Sequence, residues 1–219
     1  MLKLYYNPIS INCRRVWIAL LEKKLEFDLV EMKLDGDQLQ QEFLAINPLH
    51  HIPVLVDDGF NVVESLAILD YLEAKSPTSP LLPTDAKNLA IARMVEMVTV
   101  NELMPAMNPL IYQMMGFAGG EDSQKLEQAK HQLAKVLPFL ENLLGDRPYF
   151  GSDQLTLADI VAGCAVPWLP TLGFPLIDYQ KLSAWTERLM ARSSWQKTQP
   201  TPEMIAAYKS QKQALAAKR

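Results

Sequence analysis

Residues 49–65 constrain what the chain can fold into more than any other stretch. Val54-Leu55-Val56 and Phe60-Asn61-Val62-Val63 are short apolar runs, rich in β-branched side chains, on either side of Asp58-Gly59. Such runs joined by Asp58-Gly59 predict a β-hairpin, because glycine takes the positive φ of a tight turn without a steric penalty. Glu64-Ser65 follows at once, and then Leu66, Ile68, Leu69 and Leu72 recur at helical spacing. Ser65 stands where a helix N-cap belongs. The prediction is loop, strand, tight turn, strand and helix start, with polar side chains gathered at both ends.

That layout suits a short peptide ligand. A helix N-terminus presents unpaired N–H groups and a positive dipole end, which together hold a carboxylate. Glu64 beside it can take an ammonium, so the pair matches both charges of an α-amino acid head group. At the other end Ile52 precedes Pro53 and is biased towards extended backbone. Its N–H and C=O are then set to pair with a bound peptide as an added strand would. His50 and His51 are placed to reach a second carboxylate. Adjacent residues of an extended segment point opposite ways, which predicts that one of the two histidines contacts the ligand.

Taken in order, Leu2 to Tyr6 predicts a strand that Asn7-Pro8 ends. A helix follows from about Asn12 through Val16-Trp17-Ile18-Ala19-Leu20-Leu21, with Lys23-Lys24 favourably placed at its C-terminus. Phe27 to Met32 predicts a second strand, and Gln38 to Ile46 a short helix. The order through residue 75 is β-α-β-α-β-β-α. Pro77, Pro80 and Pro83 then stop any helix and mark a linker. Beyond it the pattern is helical: 85–116, with kinks expected at Pro105 and Pro109, then 121–144, a helix opening at Thr156, 178–191 and 202–217. Thr156 and Asp159 form a capping-box-like pair. The predicted fold class is an α/β N-terminal domain followed by an all-α C-terminal domain.

A net charge of −4 argues against a general nucleic-acid binder. No uninterrupted apolar run is long enough to span a bilayer, and Met1 to Tyr5 lacks a signal-peptide core. Cys13 and Cys164 give neither a disulfide framework nor zinc spacing, so no metal site is expected. A cytoplasmic protein is expected.

Asn47-Pro48-Leu49-His50-His51-Ile52-Pro53-Val54-Leu55, followed by Glu64-Ser65, resembles the glutathione-binding signature of cytosolic glutathione S-transferases. The resemblance is strongest to serine-type members of the delta/theta-like and related bacterial branches. Leu155 to Ile160 resembles the N-capping motif of the family's helical domain, and Pro80-Leu81-Leu82-Pro83 its interdomain link. The resemblance implies a thioredoxin-like glutathione-binding domain over residues 1–77, a linker over 78–84 and a helical domain over 85–219 that contributes an electrophile pocket. It implies a cis Pro53, and glutathione contacts from His50, His51, Ile52, Pro53, Glu64 and Ser65. Glutathione is then a co-substrate, with no bound cofactor. The expected assembly is a homodimer that engages small hydrophobic electrophiles and neither nucleic acid nor membrane. Leu66 departs from the pattern: delta-like relatives often carry Arg there, so the head-group carboxylate has one fewer charge partner.

The resemblance places the sulfur chemistry where the first strand enters the first helix. Cys13-Arg14-Arg15-Val16 sets the register so that Ser10 matches the serine of serine-type members, which donates a hydrogen bond to the glutathione sulfur. Ser10 also reads as an ordinary helix cap. Tyr6 falls near the position used by tyrosine-type members, Cys13 near that of cysteine-type members, and Asn12 is a second candidate donor. With serine at the first position of Ser10-Ile11-Asn12-Cys13, a dithiol reaction is unavailable. Met104, Asn108, Ile111 and Met115 share one face of the first long helix, which by resemblance lines the electrophile pocket. A methionine stripe adapts to varied ligands, although it is more often core.

The leading function is transfer of glutathione, as thiolate, to small hydrophobic electrophiles. Two alternatives stand beside it: a non-catalytic binding or regulatory protein on the same fold, and a glutathione-dependent disulfide reductase or peroxidase. Intact Ser10, Ile52, Pro53, Glu64 and Ser65 favour the transferase.

Overall fold

Leu2, Leu4 and Tyr6 alternate with Lys3 and Tyr5, and that period of two selects the buried face of β1 (Leu2–Tyr6). The computed structural model describes residues 1–216. Two compact units share the chain: Met1–Pro80 with the segment from Ser193 onward, and Leu81–Arg192. In the first unit β2 (Phe27–Glu31), β3 (Val54–Asp57) and β4 (Phe60–Val63) join β1 in a mixed sheet of order β2-β1-β3-β4. β1 runs parallel to β2 and antiparallel to β3, with Leu4 opposite Leu55. β3 and β4 form the expected hairpin. Asp58 and Gly59 both take positive φ, 47° and 89°, the geometry of a turn whose twist matches the flanking strands.

Three helices complete this part of the unit: α1 (Ile11–Glu22), α2 (Gln41–Leu44) and α3 (Ser65–Lys75). Val16, Ala19 and Leu20 of α1 and Ile68, Leu69 and Leu72 of α3 are buried with Leu4 and Leu55. Phe43 of α2 packs with Met32 and Val54 in a second cluster that Tyr5, Ile46, Ile52 and Val56 extend. The arrangement is thioredoxin-like. The helix expected over 38–46 is broken in two, a 3-10 turn at Asp37–Leu39 and then α2, because Gln40 between them is extended at φ −71° and ψ 148°.

The second unit is helical. α4 (Ala86–Val98) passes through a wide π turn at Thr99–Leu103 into α5 (Met104–Met115), which ends at Gly116 with φ 66°. The π turn directly precedes Pro105. Pro105 has no N–H for the Asn101 carbonyl and its ring crowds that group, so the preceding turn widens. α6 (Ser123–Leu144) starts at Asp122, whose carboxylate accepts from the Lys125 N–H. It buries Leu126, Ala129, Leu133, Val136, Leu137 and Leu140, the positions that helical spacing selects. α7 (Leu157–Gly163) and α8 (Gln180–Met190) complete the unit.

Thr156 and Asp159 form the predicted capping box at the start of α7. Asp159 does more than cap. It is fully buried and accepts from the Phe150 and Thr156 N–H groups, the Thr156 hydroxyl and the Trp185 indole, at 2.7–3.0 Å. Burial outweighs these donors and pushes its carboxyl up to about 6.

From Ser193 the chain belongs with the first unit, as α9 (Ser193–Thr198) and α10 (Pro202–Ala216). Residue 217, the expected end of the last helix, lies outside the described residues. Six residues are too few to show a period, which is why α9 is invisible in the sequence pattern. Arg14 of α1 is buried against it, donating through Nε to Thr198 Oγ1 at 3.2 Å and through Nη2 to the Trp195 carbonyl at 3.3 Å. Lys23, also buried, meets Glu73 at 2.7 Å and the carbonyls of Ser76 and Ser79 at 2.9 and 2.8 Å, pinning the start of the proline-rich linker. A buried cation requires such partners. No described helix is long and apolar enough to cross a membrane.

Candidate active site

The first unit encloses an open cavity of about 480 Å³ that separate parts of the chain build together. Asn12 reaches it from α1, Leu34 and Gln38 from the loop after β2, and Glu64 and Ser65 from the start of α3. Asn47, His50, His51, Ile52 and Pro53 form another wall. Lys212 of α10 brings a cationic side chain to the same cavity.

Asn47 shapes the histidine loop. Its buried side chain donates to the His51 carbonyl at 2.8 Å and accepts from the Leu49 N–H at 3.0 Å, while its own carbonyl accepts from the His50 N–H at 3.0 Å. The Ile52-Pro53 peptide is cis, as the resemblance implied. Among the described residues neither the N–H nor the C=O of Ile52 takes a backbone partner. His50 has a φ of 48°, so the segment is not extended there and the strand-like alternation fails. Both histidines line the cavity, their rings edge to face at 5.3 Å.

Glu64 sits at the junction of β4 and α3 with φ 67° and ψ 120°. A side chain other than glycine held in such a conformation costs about 1–3 kcal/mol, and such strain concentrates at functional positions. Glu64, not Ser65, occupies the N-cap position; Ser65 is the first helical residue. The Ser65 hydroxyl is engaged sideways instead, accepting from Arg15 Nη1 at 3.3 Å. Arg15 is 1% exposed, and its guanidinium lies behind the N-terminus of α3. Sequence reading missed this contact, and the available signal was Arg14-Arg15 inside an otherwise apolar helical run.

Ser10 is the N-cap of α1, its Oγ accepting from the Cys13 N–H at 3.3 Å. Ser10 does not itself line the cavity; Asn12, two residues on, does. Cys13 is fully buried, and burial pushes its thiol up to about 11 despite hydrogen bonds from the Ser10 side chain and the Asn7 backbone. Tyr6 is buried edge-on against Trp17 at 5.1 Å, and burial, helped by Glu31 and Cys13, raises its phenol above the usual value. Met104, Asn108, Ile111 and Met115 lie in the second unit: Asn108 is exposed, Met104 and Ile111 half-buried, Met115 buried. Among the described residues no group of three or more His, Cys, Asp or Glu side chains is placed to hold a metal.

Residues 4–80 match the family model for the glutathione S-transferase N-terminal domain, and residues 94–193 match that for the C-terminal domain. The glutathione S-transferase 3 of Zea mays is 35% identical over 207 residues, covering 90% of this chain and 92% of its own. The chain belongs to the glutathione S-transferase family. A delta-class glutathione transferase of Nilaparvata lugens superposes with a TM-score of 0.81 at 26% identity, over 98% of this chain and 99% of its own. A glutathione S-transferase of Methylobacillus flagellatus, solved with glutathione bound, gives a TM-score of 0.78 at 26% identity, over 92% and 100%. In this family member the N-terminal match contains every residue named above as lining the cavity except Lys212, which lies beyond both matched regions.

Proposed function

We propose that the chain is a glutathione transferase that binds glutathione in the 480 Å³ cavity and presents its sulfur as thiolate to small hydrophobic electrophiles. The γ-glutamyl head lies at the start of α3, its ammonium on Glu64 and its carboxylate on the Ser65 hydroxyl and the helix N-terminus. Ile52 pairs with the cysteinyl backbone as an added strand would, beside Pro53. His50 and His51 face the glycine end. The observation that carries this assignment is the convergence of Asn12, His50, His51, Ile52, Glu64 and Ser65 on one cavity in a chain of this family.

The sulfur falls at the N-terminus of α1. Lowering a thiol from about 8.5 to ~6.5 requires about 2.7 kcal/mol at 1.36 per unit. A hydrogen bond to a charged group contributes roughly 1.5–3 kcal/mol, and a helix N-terminus about 0.3–1. Ser10 is the assigned donor. Its hydroxyl is shared with the Cys13 thiol, but a thiolate is the stronger acceptor and draws the proton to the ligand. Burial and the raised pKa of Cys13 support a serine-type reaction over a cysteine-type one. The electrophile is assigned to the α5 face carrying Met104, Asn108, Ile111 and Met115. Assembly as a homodimer and a cytoplasmic location belong to the same proposal; two free, buried cysteines suit a reducing compartment.

Steady-state rates with glutathione and a panel of electrophiles, alongside a disulfide, test this directly. Conjugation of at least one electrophile well above the uncatalysed rate is expected. Turnover of the disulfide alone would replace the transferase with a reductase.

A further inference from the structure

The C-terminal helix α10 returns to the first unit and brings a charge to the cavity. Gln211 Nε2 donates to the Lys33 carbonyl at 3.0 Å, tying α10 to the loop whose Leu34 and Gln38 line the wall. Lys212, next in sequence, lines the same cavity. Its ammonium stacks over the Tyr208 ring at 5.3 Å from the centroid, an arrangement that fixes the side chain without neutralising it. Among the described residues no carboxylate pairs with it. A half-buried lysine whose stacked ammonium is unneutralised, held at a cavity rim by a neighbouring hydrogen bond, is a preformed anion contact.

We propose that Lys212 binds the glycine carboxylate of glutathione and makes α10 a specificity element that selects thiol peptides with a free C-terminal carboxylate. The inference rests on the proposed binding of glutathione in this cavity. Lys212 enters from the side of residues 33–38, while Glu64 and Ser65 stand at the start of α3. The charges of the cavity are thereby divided. Glu64, the one lining acid among the described residues, meets the ligand ammonium, and the ammonium of Lys212, with His50 and His51, meets the distal carboxylate. A ligand whose glycine end is esterified or amidated loses that attraction.

The test is a cycle between residue and ligand, run by calorimetry on the full chain at low ionic strength. Wild type, Lys212→Gln and Lys212→Arg are each titrated with glutathione and with its glycine monoethyl ester. Lys212→Gln is expected to raise Kd for glutathione about 5-fold, to leave Kd for the ester unchanged, and to lose its effect at high salt. Lys212→Arg should restore binding. An equal loss for both ligands would make Lys212 a structural prop and overturn the assignment. Unchanged glutathione affinity in Lys212→Gln would overturn it too, leaving the proposed function intact. Wild type that binds neither ligand would overturn the proposed function, and this assignment with it.

Discussion

Arg15 and Ser65, fifty residues apart, are joined in the interior of the first unit by a hydrogen bond from Arg15 Nη1 to Ser65 Oγ at 3.3 Å. The bond couples the middle of α1 to the first residue of α3, and it sets a buried guanidinium behind the site proposed for the γ-glutamyl carboxylate. Arg15→Gln should raise Kd for glutathione about 10-fold, or ~1.4 kcal/mol. It should also lower stability by about 2 kcal/mol, a fall in Tm of roughly 4–8 °C for a chain of this size. Arg15→Lys keeps the charge and should recover part of the affinity. Calorimetry and thermal melts separate the two effects. A ligand lacking the γ-glutamyl α-carboxylate should bind wild type and Arg15→Gln alike.

Glu64 trades backbone strain for position. Glycine adopts its φ of 67° without a Cβ clash. Glu64→Gly should therefore stabilise the fold by about 1 kcal/mol, roughly 2–4 °C in Tm, while weakening glutathione about 10-fold through loss of the counter-charge to the ammonium. Glu64→Ala should weaken binding equally without the gain in Tm. If both variants retain wild-type affinity, Glu64 does not hold the ligand.

Asp159 gives the stability of the second unit a pH dependence of known sign. Its folded-state pKa is about 6 against 3.8 for the unfolded chain, so between those values the folded state holds more protons. Its contribution to stability is thus full below pH 3.8 and is lost as pH rises through 6. Asp159→Asn does not titrate. The stability of wild type relative to Asp159→Asn should fall by about 2 kcal/mol between pH 4 and 7, at 1.36 kcal/mol per unit of separation between the two pKa values. Denaturant titrations across that range measure the slope. A rising difference would mean that the four donors outweigh burial.

Much of the fold was legible because its signals are local. The Asp58-Gly59 turn, the buried stripe of α6 and the Thr156–Asp159 cap each depend on residues a few positions apart. The cavity wall from His50 to Pro53, with Glu64 and Ser65, was legible as a motif. Long-range partnerships were not. Arg15 behind Ser65, α9 on Arg14 and Lys212 at the cavity all depend on where distant segments return. The backbone at the histidine pair was not legible for a different reason: an X-Pro motif suggests extended chain, and a φ of 48° at His50 departs from it.

The proposed reaction requires the α1 N-terminus and Ser10 to hold the glutathione sulfur as thiolate. Thiolate absorbance of the glutathione complex, followed against pH, measures it in wild type, Ser10→Ala, Asn12→Ala and Cys13→Ser. Wild type should titrate about two units below the free thiol value of ~8.5, and Ser10→Ala should return the midpoint upward by about 1–2 units. Cys13→Ser should titrate as wild type, since a buried thiol near 11 takes no part. Asn12→Ala should move the midpoint less than Ser10→Ala does. A wild-type complex that titrates like free glutathione, or a Ser10→Ala complex that titrates like wild type, would contradict the account.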